Sequence, residues 1–179
     1  LGRLGTIHAR NIASGISNAV LTALCDVNPE NLARAMKHLG VENGYASFPE
    51  MLEHRELDAV CIVTPSALHC EQIEQALEAG YHVFCEKPLA TGTEDCIRMK
   101  KVVLNHPDKV FMLGFMRRYD VSYQYAKQRI DKGEIGRPVL FRGYSVDPAS
   151  SVASLIPYIP LSSGQFVDMS VHDIDLARW

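Results

Sequence analysis

The sequence predicts a doubly wound parallel α/β sheet, followed by the start of a second, α+β domain. Three observations carry that prediction. Short apolar, β-prone runs alternate with helical segments of about 12 residues, the pattern of repeated βαβ units. Two glycines three apart, Gly2 and Gly5, open the first helical segment, and an acid, Asp26, follows Gly5 by 21 residues. The run from Tyr81 to Cys85 ends in Glu86-Lys87-Pro88, which puts an acid and a lysine at the carboxyl end of a strand. Open α/β sheets bind ligands at that end. A surface ion pair is the other reading of Glu86 and Lys87, and it would be worth little.

Taken in order, Gly2-Arg3-Leu4-Gly5 leads into a helical pattern with Leu4, Ile7 and Ile12 on or near one face. The glycines match the second and third of a Gly-x-Gly-x-x-Gly dinucleotide loop, whose first glycine and preceding strand would lie upstream of Leu1. Glycine pairs also arise by chance. Ala19 to Val27 reads as a strand, and Asp26 has the spacing of an acid that accepts hydrogen bonds from both ribose hydroxyls. A carboxylate there repels a 2′-phosphate and favours NAD over NADP. The other use of such an aspartate, capping a helix, is already supplied by Asn28, with Pro29 at the first helical position. That helix runs to about Leu39 and closes at Gly40. Tyr45-Ala46 reads as a short strand, and Ser47 caps a turn carrying Met51 and Leu52.

Asp58 to Thr64 is apolar enough for burial on both faces, as in parallel strands. It leads through Thr64-Pro65-Ser66 to a helix over Ala67 to Ala79, then to the strand Tyr81 to Glu86. Pro88 donates no ladder bond, so pairing stops near Lys87. A helix over Thr93 to Leu104 and a strand over Lys109 to Phe115 complete the alternation. After Gly114 to Asp120 the pattern changes. A helix over Val121 to Lys132 is closed by Gly133, Pro138 to Val146 reads as a strand, Asp147 to Gly164 as a loop, and Gln165 to Trp179 as a helix. The division falls between residues 1–118 and 119–179.

The composition is that of a soluble globular protein, with 179 residues, a net charge of −3 and 47% hydrophobic residues. The slightly acidic balance and the lack of a basic run argue against nucleic acid. No apolar run approaches the roughly 20 residues that span a bilayer, and no signal-peptide pattern opens the chain. Cysteines 25, 61, 70, 85 and 96 are odd in number and lack Cys-x-x-Cys spacing, and three of them lie in predicted strands. Buried free thiols in a reducing cytosol account for them better than zinc does. The start at Leu1 and the stop within a helical pattern are expected of a fragment that lacks the first strand and most of the second domain.

With Glu86-Lys87-Pro88, Thr64-Pro65 one unit earlier, and Gly2, Gly5 and Asp26 ahead of both, the chain resembles the Gfo/Idh/MocA family of NAD(P)-dependent sugar and cyclitol oxidoreductases. The runs Gly114 to Asp120 and Gly164 to Asp175 are most similar to its inositol 2-dehydrogenases. The resemblance covers essentially the whole chain. It implies an NAD-binding Rossmann domain over 1–118 and the start of a substrate and oligomerisation domain over 119–179. Its cofactor residues fall on Gly2, Arg3, Leu4, Gly5 and Asp26, then on Thr64, Pro65 and His69 beside the nicotinamide, and on Glu86 and Lys87. Its catalytic lysine, aspartate and histidine fall on Lys87, Asp168 and His172. Pro88 is often a cis-proline in that family. The implied partners are a polyol substrate and, in the full-length protein, further copies of the chain. Inositol dehydrogenases of the family commonly carry a histidine near the domain junction. Gly143-Tyr144-Ser145-Val146-Asp147-Pro148 has none, so a related aldose or sugar acid stays beside a cyclitol as substrate.

The chemistry agrees with that resemblance. Oxidising a secondary alcohol needs a hydride acceptor, a base for the hydroxyl proton and a cation near the developing alkoxide. Histidine is the natural base near neutral pH. Asp168 and His172 are four apart, so one helix would place them on one face. Lys87 comes from the first domain and His172 from the second, so the site is expected between them. The bland reading of His172 is an exposed helical histidine, with Asp168, Asp173 and Asp175 forming an acidic face. A metal held by Asp168 and His172 lacks a third ligand. Arg117 and Arg118 either bind substrate hydroxyls or support the hinge. An NAD-dependent glycosidase of the same fold, a regulator that binds NAD without chemistry, and a non-functional fragment are the rival readings. The loss of a central strand leaves neighbouring backbone groups unpaired at about 1–3 kcal/mol each, so residues 1–179 alone are expected not to fold stably.

Overall fold

The computed structural model describes residues 1–151, 153, 156, 159 and 162–179. Helix α1, Arg3–Ser14, precedes strand β1, Ala23–Cys25, and α2, Pro29–Leu39, leads to β2, Asn43–Tyr45. After the short α3, Phe48–Leu52, come β3, Ala59–Ile62, a 3-10 turn at Ser66–Leu68 running into α4, His69–Glu78, and β4, His82–Cys85. Helix α5, Thr93–Leu104, spans the expected residues and leads to β5, Phe111–Leu113. A 3-10 turn at Met116–Tyr119 then enters α6, Val121–Asp131, and the chain ends in α7, Gly164–Asp168, and α8, Val171–Arg178.

Every strand pairing among the described residues is parallel, as helical crossovers require. β1 pairs with β2, and β3, β4 and β5 form a second ladder in that order. The two ladders share one core. Ala23, Cys25 and Tyr45 of the first pack against a cluster containing Val60, Ile62, Ile73, Leu77, Val83, Cys85 and Met99. Ile73, Cys85 and Met99 are wholly buried, so α4 and α5 close one face of the β3-β4-β5 ladder. A smaller cluster of Ala9, Leu24, Ala35 and Val41 joins α1 and α2 to β1.

The caps follow local chemistry. The Asn28 side chain accepts from the amides of Glu30 and Asn31, and Gly40 ends α2 in the left-handed conformation that favours glycine. Asp120 caps α6 in the same way, through the amides of Ser122 and Tyr123. Ser47 precedes α3 as expected but makes no side-chain cap bond.

Several expectations are corrected. The strands are shorter than their apolar runs, because a run marks burial whereas a strand needs ladder bonds. Val20 and Val27, inside the expected Ala19–Val27 strand, are exposed. β3 is not covered on both faces throughout, since Ala59 is exposed and Cys61 half-buried. Leu4 and Ile7 of α1 are also exposed, and Ala9 makes the core contact. Residues 138–146 form no strand. Val139, Leu140, Phe141, Tyr144 and Val146 are exposed and no ladder partner lies beside them among the described residues. The loop expected over 147–164 holds a 3-10 turn at Ala149–Ser151, and part of it lies outside the described residues. The single helix expected over 165–179 breaks at Met169-Ser170, where both amides turn back to the Gln165 carbonyl at 2.9 and 3.1 Å. No described helix is long and apolar enough to cross a membrane.

Candidate active site

The loops at the carboxyl ends of the strands bring most of the expected residues to one edge. Gly2 is the N-cap of α1 and provides no side-chain cap, so the first-turn amides keep their donors for an anion. A side chain at Gly2 would meet nothing within 4 Å, while one at Gly5 would touch Val63, just past β3, at 3.9 Å. One glycine thus leaves room in front of the helix and the other lies against the sheet, as a dinucleotide loop requires. Arg3 and Leu4 are exposed in that first turn. Asp26 follows β1 and its Oδ1 accepts from the Asn28 amide at 2.8 Å.

Thr64 and Pro65 are exposed after β3, with the Thr64 hydroxyl donating to Gln72 Oε1 at 2.6 Å. His69 is placed differently. It is 1% exposed, and both its ring nitrogens face main-chain carbonyls rather than open space.

Glu86 sits where β4, the Gly114 backbone beyond β5, and α1 meet. Its Oε1 lies 2.8 Å from His8 Nε2, and its Oε2 accepts from the Lys87 amide at 3.2 Å. Burial alone would raise the Glu86 carboxyl. The His8 contact, then the Lys87 amide and ammonium, reverse that and hold it below its ordinary value. A Cβ at Gly114 would stand 3.1 Å from the Glu86 carboxylate, close enough that the carboxylate would have to give by a few tenths of an ångström.

The Lys87–Pro88 peptide bond is cis. Lys87 Nζ donates to the Asp168 carbonyl oxygen at 2.7 Å and to Asp168 Oδ1 at 3.0 Å, joining the end of β4 to the end of α7. Asp168 and His172 do not share one helix. Asp168 ends α7 and His172 lies near the start of α8, yet His172 remains close enough to Lys87 to feel its charge. Burial first, then the charges of Lys87 and Arg117, push the His172 imidazole below its ordinary value. Glu86 and Asp173 act the other way and lose. The His172 ring meets the Phe115 ring edge-on at 6.4 Å, and its Nδ1 is buried without a hydrogen-bond partner among the described residues.

Asp173 and Asp175, which the bland reading of His172 assigns to an acidic face, hold α8 in place. Arg117 donates to Asp173 Oδ1 at 2.5 Å and to Ser145 Oγ at 2.7 Å, and Ser145 donates to Asp173 Oδ2 at 2.6 Å. Arg118 grips Asp175 in a two-point fork at 2.8 and 2.6 Å, with Asp175 buried. His172 therefore stands on a helix tied by its neighbours Asp173 and Asp175 to the two arginines that follow β5. Of the two readings of those arginines, hinge support is the one the hydrogen bonds favour. His8, Ser145, Asp173 and Asp175 were missed as contributors. The available signal was the pairing of adjacent arginines with two acids in one short helix.

The arrangement places Lys87, at the end of β4, near a half-buried histidine whose pKa is lowered. The model of an oxidoreductase family with an NAD-binding Rossmann fold matches residues 1–115, and that of the Gfo/Idh/MocA C-terminal domain matches residues 123–179. The chain is 38% identical over 179 residues to myo-inositol 2-dehydrogenase of Thermotoga maritima, covering 100% of this chain and 52% of that protein. It is 37% identical to the NAD(+) scyllo-inositol 2-dehydrogenase of Bacillus subtilis, covering 51% of it. The crystal structure of scyllo-inositol dehydrogenase from Lactobacillus casei with bound NAD(H) and scyllo-inositol superimposes with a TM-score of 0.95 at 50% identity, over 100% of this chain and 53% of that one. The chain spans about half the length of the curated relatives it matches. Sequence and fold together show that the chain belongs to the Gfo/Idh/MocA oxidoreductase family and carries its NAD-binding Rossmann fold.

Proposed function

We propose that this chain carries the cofactor edge and the reacting groups of an NAD-dependent dehydrogenase that oxidises a secondary hydroxyl of a cyclitol. Residues 1–118 form the cofactor domain in this reading and 119–179 begin the substrate domain. NAD supplies the hydride acceptor when bound. Gly2, Arg3, Leu4 and Gly5 hold its pyrophosphate, Asp26 its adenosine ribose, and Thr64, Pro65, Glu86 and Lys87 the nicotinamide end. His172 takes the hydroxyl proton, and Lys87 stabilises the negative charge that grows on the same oxygen. Asp168 orients Lys87.

The observation that carries the reading is the convergence of Lys87, Asp168 and His172 from separate elements, with His172 held below its ordinary pKa. A base must be unprotonated to work, and burial beside two cations keeps the imidazole so near neutral pH. The inositol dehydrogenases among its relatives favour a cyclitol over an aldose or sugar acid.

The test is NAD reduction followed by absorbance, with the whole protein, across myo-inositol, scyllo-inositol, glucose and related polyols, beside His172→Ala. Turnover on one inositol that drops about 10²–10⁴-fold in the variant is expected. NAD binding without turnover on any polyol would refute the dehydrogenase reading and leave the glycosidase or regulator.

A further inference from the structure

His69 is the first residue of α4, directly behind the loop that bears Thr64 and Pro65, and its ring is almost wholly buried. Nδ1 lies 2.7 Å from the Pro88 carbonyl oxygen and Nε2 lies 2.9 Å from the Thr64 carbonyl oxygen. We infer that His69 is a positioning residue that bridges the loops after β3 and β4 and holds Lys87 within reach of Asp168 without touching substrate or cofactor. The inference rests on the proposed role of Lys87.

The backbone explains why such a bridge is needed. The last main-chain bond tying this stretch to its neighbouring strand is Glu86 N–H to the Ile62 carbonyl at 3.0 Å. Pro88 has no N–H, so the ladder cannot continue past Lys87. Beyond that point the chain is held by the Lys87 amide on Glu86 Oε2, by His69 on the Pro88 carbonyl, and by a long Cys70 Sγ contact to the Leu89 carbonyl at 3.7 Å. Pro88 is bonded directly to Lys87, so a shift of its carbonyl swings the lysine. The other end of the bridge is the Thr64 carbonyl, in the loop expected to meet the nicotinamide. One side chain therefore lies against both loops, within hydrogen-bond distance of a carbonyl in each.

The chemistry of the ring sharpens the point. Both partners are carbonyls and only accept. A neutral imidazole has one N–H and can donate to one of them, whereas the imidazolium donates to both. The two contacts can be separated by substitution. Asparagine keeps a donor near the place of Nδ1 and serves Pro88. Glutamine keeps one near the place of Nε2 and serves Thr64. Phenylalanine fills the space and serves neither.

The experiment compares His69→Phe, His69→Asn and His69→Gln in the whole protein. It reads kcat, the KM for NAD, and the rate at which the Lys87 amine is acylated, followed by mass spectrometry. Phenylalanine is expected to lower kcat about 10–100-fold, as a displaced reacting group does, with the KM for NAD nearly unchanged. Lys87 should become several-fold more reactive as it leaves Asp168. Asparagine should restore most of kcat and the slow labelling, and glutamine should not. If phenylalanine prevents folding, the asparagine and glutamine variants still decide. Equal behaviour of those two, a change confined to the KM for NAD, or unchanged Lys87 labelling would each overturn the inference. Absence of wild-type turnover would refute the dehydrogenase reading, while the labelling comparison would still report on the bridge.

Discussion

Lys87 Nζ reaches across from the end of β4 to both the main-chain carbonyl and the carboxylate of Asp168, at 2.7 and 3.0 Å. One ammonium thereby ties the Rossmann strand end to α7, and its charge is felt at His172. A single donor aimed at a developing oxyanion is worth about 10²–10³ in kcat. Lys87→Met is accordingly expected to lower kcat by that factor while NAD still binds, because the dinucleotide loop at Gly2 and Gly5 is untouched. Steady-state kinetics together with calorimetric NAD titration check it. Loss of NAD binding in step with kcat would leave Lys87 with cofactor holding alone and no part in stabilising the oxyanion.

The pH dependence follows from the direction of the His172 shift. Its imidazole is pushed below the usual 6.5 by burial, then by Lys87 and Arg117. On the proposed role of His172 as base, activity requires the unprotonated ring, so kcat/KM should rise with pH through a value under 6.5 and be level above it. Arg117→Gln removes one of the depressing charges and should move that limb upward, still short of full restoration because burial is the larger cause. The same sign governs stability. A histidine whose folded pKa lies below its unfolded one contributes fully above the unfolded value, and that contribution is lost as pH falls through the window beneath 6.5. A limb lying above 6.5 in the wild type would contradict both statements.

Asp26 gives a specificity test. A carboxylate at this position just past β1 favours ribose hydroxyls and disfavours a 2′-phosphate. Asp26→Ser should raise the KM for NAD about tenfold or more, equivalent to about 1.4 kcal/mol or more, and narrow the preference for NAD over NADP. Initial rates with both cofactors decide it, and an unchanged preference would take Asp26 out of the ribose site.

The α/β alternation was legible because each signal is local. Asn28-Pro29 and Gly40 bound α2 by their own caps, and the apolar runs around Val60, Val83 and Met112 mark strands by composition. The end of β4 before Pro88 was legible because a proline has no N–H to give to the ladder. Residues 138–146 were misread because alternation reports which side chains are alike, not whether a neighbouring strand exists. The break at Met169-Ser170 carries no glycine or proline to announce it. Asp173 and Asp175 looked like a solvated face because their partners are 56 and 57 residues away, at Arg117 and Arg118. The family resemblance puts His69 in the loop beside the nicotinamide, whereas its two carbonyl partners are set by tertiary packing alone.

Gly114 tests the support beneath Lys87. A methyl group there would lie 3.1 Å from the Glu86 carboxylate, which must then move. Moving it strains the contact with His8 and the bond from the Lys87 amide. Gly114→Ala should cost about 1–3 kcal/mol for hydrogen bonds to a partly buried charge and should lower kcat more than it raises the KM for NAD. Chemical denaturation and kinetics check the two halves separately. A variant with wild-type stability would mean that Glu86 adjusts at no cost.

The Arg118–Asp175 fork tests whether α8 is held from the Rossmann side. Asp175 is buried and both its oxygens are engaged, while the arginine is partly exposed and lies about 6 Å from the Phe115 and Trp179 rings. Removing Arg118 leaves a buried carboxylate without its fork, which costs more than removing Asp175 from an arginine that water can reach. Arg118→Ala should therefore destabilise by about 2–3 kcal/mol and Asp175→Asn by less, with the double variant closer to Asp175→Asn than to the sum of the two. Because His172 rides on the same helix, kcat should fall in Arg118→Ala even at temperatures where the protein stays folded. A double-mutant cycle by denaturant unfolding gives the coupling, and kcat measured well below each melting temperature separates helix placement from loss of fold. Strict additivity in the cycle would show that the fork does not hold α8. The orientation of His172 would then depend on Arg117, Ser145 and Asp173 alone.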